Sequence, residues 1–310
     1  MRLLAALIFW LAAAAPLRAA EPVASVPYRV DYGGWFTVAV MVNGQGPYDF
    51  VLDTGSTLTL AFRNLANIQA FEPTGGPPLR VLGILSKEEL EPYALGDIAL
   101  GGAVLEDHVG IILGDWAPPR RTPRGIIGLD FLREYAVHFN SATRTMTLYP
   151  HGGIPKSELK GLIKVKLTPD DFGATSGALF KAEGLVNRKP VKFIIDLGSA
   201  STLINYIAGE AIFSTVQTTN IGQGFTTGSH LKDVFDDRTH ARTALLNRIQ
   251  LGRAIWRNHG AWIYNAPVFD DLGVQGLAYG LAGVDLFADR DFALDFGENA
   301  LYVSRRPRGN

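Results

Sequence analysis

Two short stretches carry the residues whose types and spacing suit chemistry. Phe50-Val51-Leu52-Asp53-Thr54-Gly55-Ser56-Thr57 runs an apolar segment into a carboxylate, then at once a hydroxyl residue, a glycine and two more hydroxyls. Phe193-Ile194-Ile195-Asp196-Leu197-Gly198-Ser199-Ala200-Ser201 repeats the order of apolar run, Asp, one residue, Gly and Ser. The apolar runs read as buried strands, and Gly55 and Gly198 as tight turns at their ends. Each strand thus delivers an aspartate to a place where an unpaired charge is costly. One such residue could be a satisfied structural cap. Two in matched frames suggest two lobes that each bring a carboxylate to a shared site. Carboxylates within about 3 Å of each other cannot both ionise, so they share a proton and titrate as a pair. Such a pair holds an acid and a base in one place and can activate a water.

The elements that must position these residues also recur. Asn43-Gly44-Gln45-Gly46-Pro47 leads into the first stretch and Asn187-Arg188-Lys189-Pro190 into the second, and in both the proline lies six residues before the aspartate. An Asn-led turn before an apolar run is a hairpin signal. Strands are expected at Tyr28 to Val30, Trp35 to Val42 and Tyr48 to Leu52, a short helix at Ala61 to Ala70, and loop from Phe71 to Arg80. Ile98 to Leu105 with Val109 to Leu113 reads as a hairpin, matched later by Ile249 to Trp256 with Ala261 to Tyr264. Gly125-Ile126-Ile127-Gly128-Leu129-Asp130-Phe131-Leu132 matches Gly280-Leu281-Ala282-Gly283-Val284-Asp285-Leu286-Phe287. Closing strands are expected at Tyr135 to Phe139, Thr145 to Tyr149, Phe292 to Phe296 and Leu301 to Ser304. Four landmarks in one order indicate a duplicated lobe, with a period far too long for a solenoid repeat. The expected layout is an N-terminal lobe over 21–150, a linker over 151–162 and a C-terminal lobe over 163–310.

Residues 1–20 read as a secretory signal: a basic start at Arg2, an apolar run from Leu3 to Ala15 and small residues before Ala20. The run is shorter than the roughly 20 residues that span a bilayer, so a cleaved leader is expected, with an uncleaved anchor as the alternative. The expected location is the periplasm or the outside of the cell, with no stable membrane insertion once the signal is gone. Residues 1–20 contain two of the 29 basic residues and none of the 30 acidic ones, so the mature chain is slightly acidic. That argues against a nucleic-acid partner. The chain has no cysteine, so an exported form must rest on a packed core. Abundant glycine with short β-branched and aromatic runs suits a mostly β protein.

Asp53-Thr54-Gly55-Ser56 followed by Ile126-Ile127-Gly128, and Asp196-Leu197-Gly198-Ser199 followed by Leu281-Ala282-Gly283, resemble the retropepsin-like aspartic proteases, in particular their exported bacterial members. The resemblance covers nearly all of the mature chain. It implies two β-barrel lobes of the pepsin type in one chain, related by a pseudo-twofold, with short helices. It implies a peptide or protein substrate, Asp53 and Asp196 as catalytic residues, and no cofactor or metal. By the same resemblance Thr54 would tie the two loops together, Gly55 and Gly198 would supply amide donors, and Ser56 and Ser199 would hydrogen-bond the outer oxygens of Asp53 and Asp196. Leu197 departs from the pattern, which has Thr or Ser there, so the bridge between loops would be one-sided. A glycine-containing hairpin over the cleft is expected within Thr74 to Gly83 in lobe one and within Ile221 to Gly228 in lobe two.

The remaining candidates have plainer readings. Asp130 and Asp285 suit helix starts, where an acid favours the helix dipole. Asp236-Asp237 and Asp270-Asp271 read as solvated loops, and the six histidines show no metal-ligand spacing. Pro119 to Arg124 reads as a basic solvated loop. There is no Gly-x-Ser-x-Gly elbow and no phosphate loop. Since one chain supplies both carboxylates, a monomer is expected. A homodimer that pairs Asp53 with its symmetry mate is one rival reading, and a cleft that binds peptides without cleaving them is the other.

Overall fold

The structure, a computed structural model, describes residues 20–115, 123–172, 177–213 and 230–307. The secretory signal (but for Ala20), most of the basic loop expected at 119–124 and the hairpin expected at 221–228 lie outside the described residues. Among the described residues, no helix is long and apolar enough to cross a membrane.

The chain is mostly β and folds as two lobes built to one plan. In the first, strand Gln45–Leu52 runs into Asp53 and pairs in parallel with Gly125–Ile127, setting Val51 against Ile126 and Leu52 against Ile127. In the second, Lys189–Ile195 runs into Asp196 and pairs in parallel with Tyr279–Ala282, setting Ile194 against Leu281 and Ile195 against Ala282. The short strands Leu60–Phe62 and Leu203–Ile204 flank these pairs antiparallel, again in matching frames. The duplication read from the sequence is therefore a duplication of register. The reason is the period-2 alternation: Phe50, Leu52 and Ile127 face the main core, while Val51, Leu60 and Ile126 form a separate apolar patch on the opposite face.

Each lobe carries a long hairpin, Pro92–Leu100 with Ala103–Leu113 and Arg242–Leu251 with Ala254–Ile263. Polarity predicts their turns at 106–108 and 257–260, and the structure puts them elsewhere. The turns are Gly101-Gly102 and Gly252-Arg253, where both leading glycines adopt positive φ (59° and 54°). The polar runs stay within the strands. The short helix expected over Ala61 to Ala70 is confined to Arg63–Ala66, with Leu60–Phe62 drawn into the sheet.

The two halves also share a sheet. Strands Leu162–Lys166, Ala300–Ser304 and Phe292–Asp295 of the second half continue into Ala136–Asn140, Thr145–Tyr149 and Ala24–Val30 of the first. At the seam Phe139 sits opposite Phe292, their rings stacked 4.3 Å apart, and Phe36 stacks on both. These rings are buried and join both lobes into one continuous apolar core. That common floor fixes the two aspartate-bearing strands relative to each other.

Candidate active site

Asp53 and Asp196 leave their strands at equivalent points. The Asp53 N–H donates to Ile127 O (3.0 Å) and the Asp196 N–H to Ala282 O (3.1 Å). Each carboxylate then accepts the amides of its own turn. Asp53 Oδ1 takes Gly55 N (2.7 Å) and Ser56 N (3.1 Å), and Asp196 Oδ1 takes Gly198 N (2.9 Å) and Ser199 N (3.1 Å). The two side chains are within hydrogen-bonding reach of each other. The arrangement brings the two expected residues together on the floor between the lobes.

The loops are clasped by Thr54. Its hydroxyl donates to Ile195 O across the interface (2.7 Å) and accepts the Leu197 N–H (3.0 Å). The one-sidedness expected at Leu197 is present, and that side chain joins the buried core instead. The serines depart from what the resemblance implied. Ser56 Oγ donates to Leu58 O (2.7 Å) and Ser199 Oγ to Ser201 O (2.8 Å), so each hydroxyl closes its own turn, while the serine amides serve the carboxylates. A hydroxyl two residues from a free carbonyl satisfies it locally, the usual habit of serine in turns.

A second layer holds each loop from beneath. Thr59, six residues after Asp53, gives its N–H and hydroxyl to Asp130 (2.8 and 2.6 Å). Thr202, six residues after Asp196, gives the same two groups to Asp285 (2.8 and 2.7 Å). Asp130 and Asp285 do stand in the first turns of short helices, as expected, but their carboxylates are spent on Thr59 and Thr202 of the two aspartate loops. A histidine joins each set. His108 Nε2–H donates to Thr59 O (2.7 Å) and lies 3.7 Å from Asp130, and His259 Nε2 lies 3.0 Å from Asp285. The spacing of the histidines in the sequence marks neither of them. The signal that marks them is their equivalent place on the second strand of matched hairpins, each preceded by a residue at positive φ, Asp107 (46°) or Asn258 (50°). Among residues with a side chain, Asp and Asn tolerate that conformation best.

Burial dominates the electrostatics. Asp53 is pushed above the ordinary carboxylate range by loss of solvent, and the amides of Gly55 and Ser56 partly offset this. Asp196 is pushed up further, first by burial and then by the neighbouring Asp53 charge. Both carboxyls are thus held towards the protonated form, Asp196 the more strongly, and the two titrate as one coupled pair. Among the described residues no cluster of three or more His, Asp or Glu is placed to hold a metal.

Residues 38–131 match the model of a family described as aspartyl protease, a span that includes Asp53-Thr54-Gly55-Ser56 and Ile126-Ile127-Gly128. No curated protein matches the chain. Among solved structures the chain is similar to basic 7S globulin from soybean, with a TM-score of 0.54 over 92% of this chain and 95% of that one. The two are 10% identical, so the likeness concerns the two-lobed fold alone.

Proposed function

We propose that this chain is an aspartic endopeptidase that hydrolyses peptide bonds with a water activated between Asp53 and Asp196. The observation that carries the reading is the pair of buried carboxyls, one per lobe, within hydrogen-bonding reach and each cradled by the amides of its own Asp-x-Gly-Ser turn. In this mechanism ionised Asp53 takes a proton from the water as its oxygen attacks the peptide carbonyl. Protonated Asp196 hydrogen-bonds the carbonyl oxygen as charge develops on it. The proton gathered by Asp53 then passes to the departing amine as the C–N bond breaks, leaving a carboxyl and an amino terminus. Gly55, Gly198, Ser56 and Ser199 support the pair through their amides, and Thr54 holds the two loops at one spacing. The substrate is a peptide or protein. The protein acts as a monomer after export to the periplasm or beyond.

Leu197 favours a second reading, a cleft that binds peptides without cleaving them, because it leaves the clasp between the loops one-sided. Cleavage of a mixed peptide library from about pH 3 to 8 by the mature protein, beside Asp53→Asn and Asp196→Asn, separates the two. Cleavage lost in both variants supports the dyad. Cleavage that survives Asp196→Asn would revive pairing of Asp53 in a homodimer, and no cleavage by a folded protein would favour the binding cleft.

A further inference from the structure

Period-2 alternation puts Val51 on the same sheet face as Asp53, and Ile194 on the same face as Asp196. On that face each lobe has an apolar patch beside its carboxylate: Val51, Leu60 and Ile126 in the first, Ile194, Leu203 and Leu281 in the second. These are the surfaces along which a bound chain would lay the side chains flanking its reacting bond. Neither patch is bare. Two hairpins cover both, Leu79–Leu82 with Lys87–Leu90 from lobe one and His230–Lys232 with Arg238–His240 from lobe two.

The covering is reciprocal. Val81 and Leu90, at the base of the first hairpin, pack on their own lobe's patch, whereas Ile84 and Leu85 at its tip pack on the other lobe's. Leu231 in the second hairpin packs on its own lobe, whereas Val234 and Phe235 at its tip pack on the patch beside Asp53. The two tips meet at Gly83, which is buried and where an added Cβ would fall 2.7 Å from Asp233 Oδ2 and 2.9 Å from the Phe235 ring.

One buried carboxylate staples this crossing. Asp233 is 4% exposed. Its Oδ1 accepts the Phe235 and Asp237 amides (2.9 and 3.0 Å), which shapes its own tip. Its Oδ2 accepts the Ser86 hydroxyl (2.9 Å) and the Leu85 amide (3.3 Å) of the opposite tip. Two further links run from the first hairpin to lobe two. Val268 N–H donates to Ile84 O (3.3 Å), and Arg80 and Lys87 both reach Asp271 (2.7 Å each). Asp271 is therefore not the solvated loop residue that the sequence suggested. Its two cations are more than half exposed, so their pairs are screened and weak. The charge-assisted bonds to buried Asp233 are the stronger part of the fastening.

We propose that the free protein is self-occluded. Its crossed hairpin tips occupy the two apolar patches beside Asp53 and Asp196, Asp233 locks them there, and an extended, unfolded polypeptide binds by displacing the tips once the lock releases. The hairpin in lobe one is thus a gate held by the opposite lobe, and Asp233 is a positioning residue, not a catalytic one. The inference rests on the proposed peptidase reading only for the identity of the ligand. Because the binding-competent form is a fraction of the population, weakening the lock raises apparent affinity by the factor by which that fraction grows.

The chain has no cysteine, so paired cysteines can be placed without background. Spin labels at Glu88→Cys and Asp270→Cys report the gap between the first hairpin and lobe two without reference to catalysis. The expected result is one narrow, short distance, broadened towards longer values by Asp233→Ala with Asp271→Ala in protein whose melting curve shows it folded. Separately, Ser86→Cys with Asp233→Cys, in an Asp53→Asn chain that does not cleave, is oxidised or reduced and mixed with fluorescein-labelled casein, an unfolded polypeptide. The bridged form is expected to bind at least about tenfold more weakly, with binding restored by reductant. Label distances that the latch substitutions leave unmoved, or bridged protein that binds casein as well as reduced protein does, would overturn the gate. Distances that respond while neither form binds casein would support the gate and overturn the peptide reading alone.

Discussion

Gly55 lies so close beneath Asp196 that a Cβ built on it would fall 2.7 Å from the Asp196 carboxyl carbon, and Gly198 lies closer still beneath Asp53. Each lobe's turn is therefore the floor under the other lobe's carboxylate, and a methyl group at either position would push the opposing carboxyl away. Neither glycine requires a left-handed backbone, so the constraint is space alone. Gly198→Ala is expected to fold, to lose about 10²-fold or more in kcat/KM, and to change KM less than kcat, since misplacement by roughly 1 Å costs about that much. Steady-state kinetics on a peptide substrate checks it. Gly55→Ala should behave alike, and wild-type activity in both would break the link between this packing and the reaction.

The dyad also makes a prediction about stability. Both carboxyls sit above the ordinary carboxylate range, Asp196 well above it, because of burial and, at Asp196, the neighbouring charge. The folded state therefore holds on to a proton that the unfolded chain gives up. The stabilising contribution is complete below the unfolded carboxylate value of about 4 and is lost as pH rises through the raised folded value. Asp196→Asn puts a neutral side chain there that needs no proton from solution, so it should stabilise the protein by roughly 0.5–2 kcal/mol at neutral pH and by much less near pH 4, while abolishing cleavage. Urea unfolding at the two pH values measures this. A loss of stability on Asp196→Asn at neutral pH would mean that the charged form is the one the fold favours.

Thr54 and Leu197 divide the clasp unequally. Thr54 makes both of its hydrogen bonds from a side chain that is 1% exposed. Thr54→Val keeps the shape but strands the buried Leu197 N–H and takes a donor from Ile195 O, so it should cost on the order of 1–3 kcal/mol and loosen the dyad. Leu197, also 1% exposed, contributes by packing, and Leu197→Ala should cost about 2–5 kcal/mol. The two losses differ in kind. Thr54→Val should lower kcat beyond its effect on stability, whereas Leu197→Ala should unfold the protein more easily with little change in kcat at low temperature. Chemical denaturation with parallel kinetics distinguishes them.

The parts of this architecture that were legible in the sequence are those fixed within a few residues along the chain. The Asp-x-Gly-Ser turns, the apolar strands before them and the paired glycine motifs announce themselves through local composition and alternation, and their recurrence revealed the two lobes. The long hairpins were recognised but their turns were misplaced. Glu106-Asp107-His108 and Arg257-Asn258-His259 look like turns by polarity, yet the chain keeps them inside strands. In the first lobe the ladder absorbs the irregularity by shifting register around Gly96. Asp233 and Asp271 were not legible, because their partners Leu85, Ser86, Arg80 and Lys87 lie far away in the sequence and in the other lobe. An acidic residue in a polar loop gives no sign that it will be met there.

The threonine–aspartate sets beneath the loops were half legible: the acids were seen, but as helix starts only. Asp130 takes three donors, the Thr59 amide, the Thr59 hydroxyl and the Phe131 amide, and Thr59 Oγ1 in turn accepts Gly128 N (3.0 Å). Asp130→Ala strands buried donors, and at about 1–3 kcal/mol for a stranded group it should be strongly destabilising. Asp285→Ala should do likewise in the second lobe, where the Thr202 amide and hydroxyl both lose their acceptor. Thr59 and Asp130 share their bonds, so Thr59→Val with Asp130→Ala should cost clearly less than the sum of the two singles. Asp130→Ala with Asp285→Ala should add within about 0.5 kcal/mol, because the two sets have no partner in common. Measured by urea unfolding, coupling within a lobe and additivity between lobes would identify two independent braces, one under each aspartate. Strong coupling between Asp130 and Asp285 would instead make the floor between the lobes a single cooperative unit, and the dyad would then answer to both braces at once.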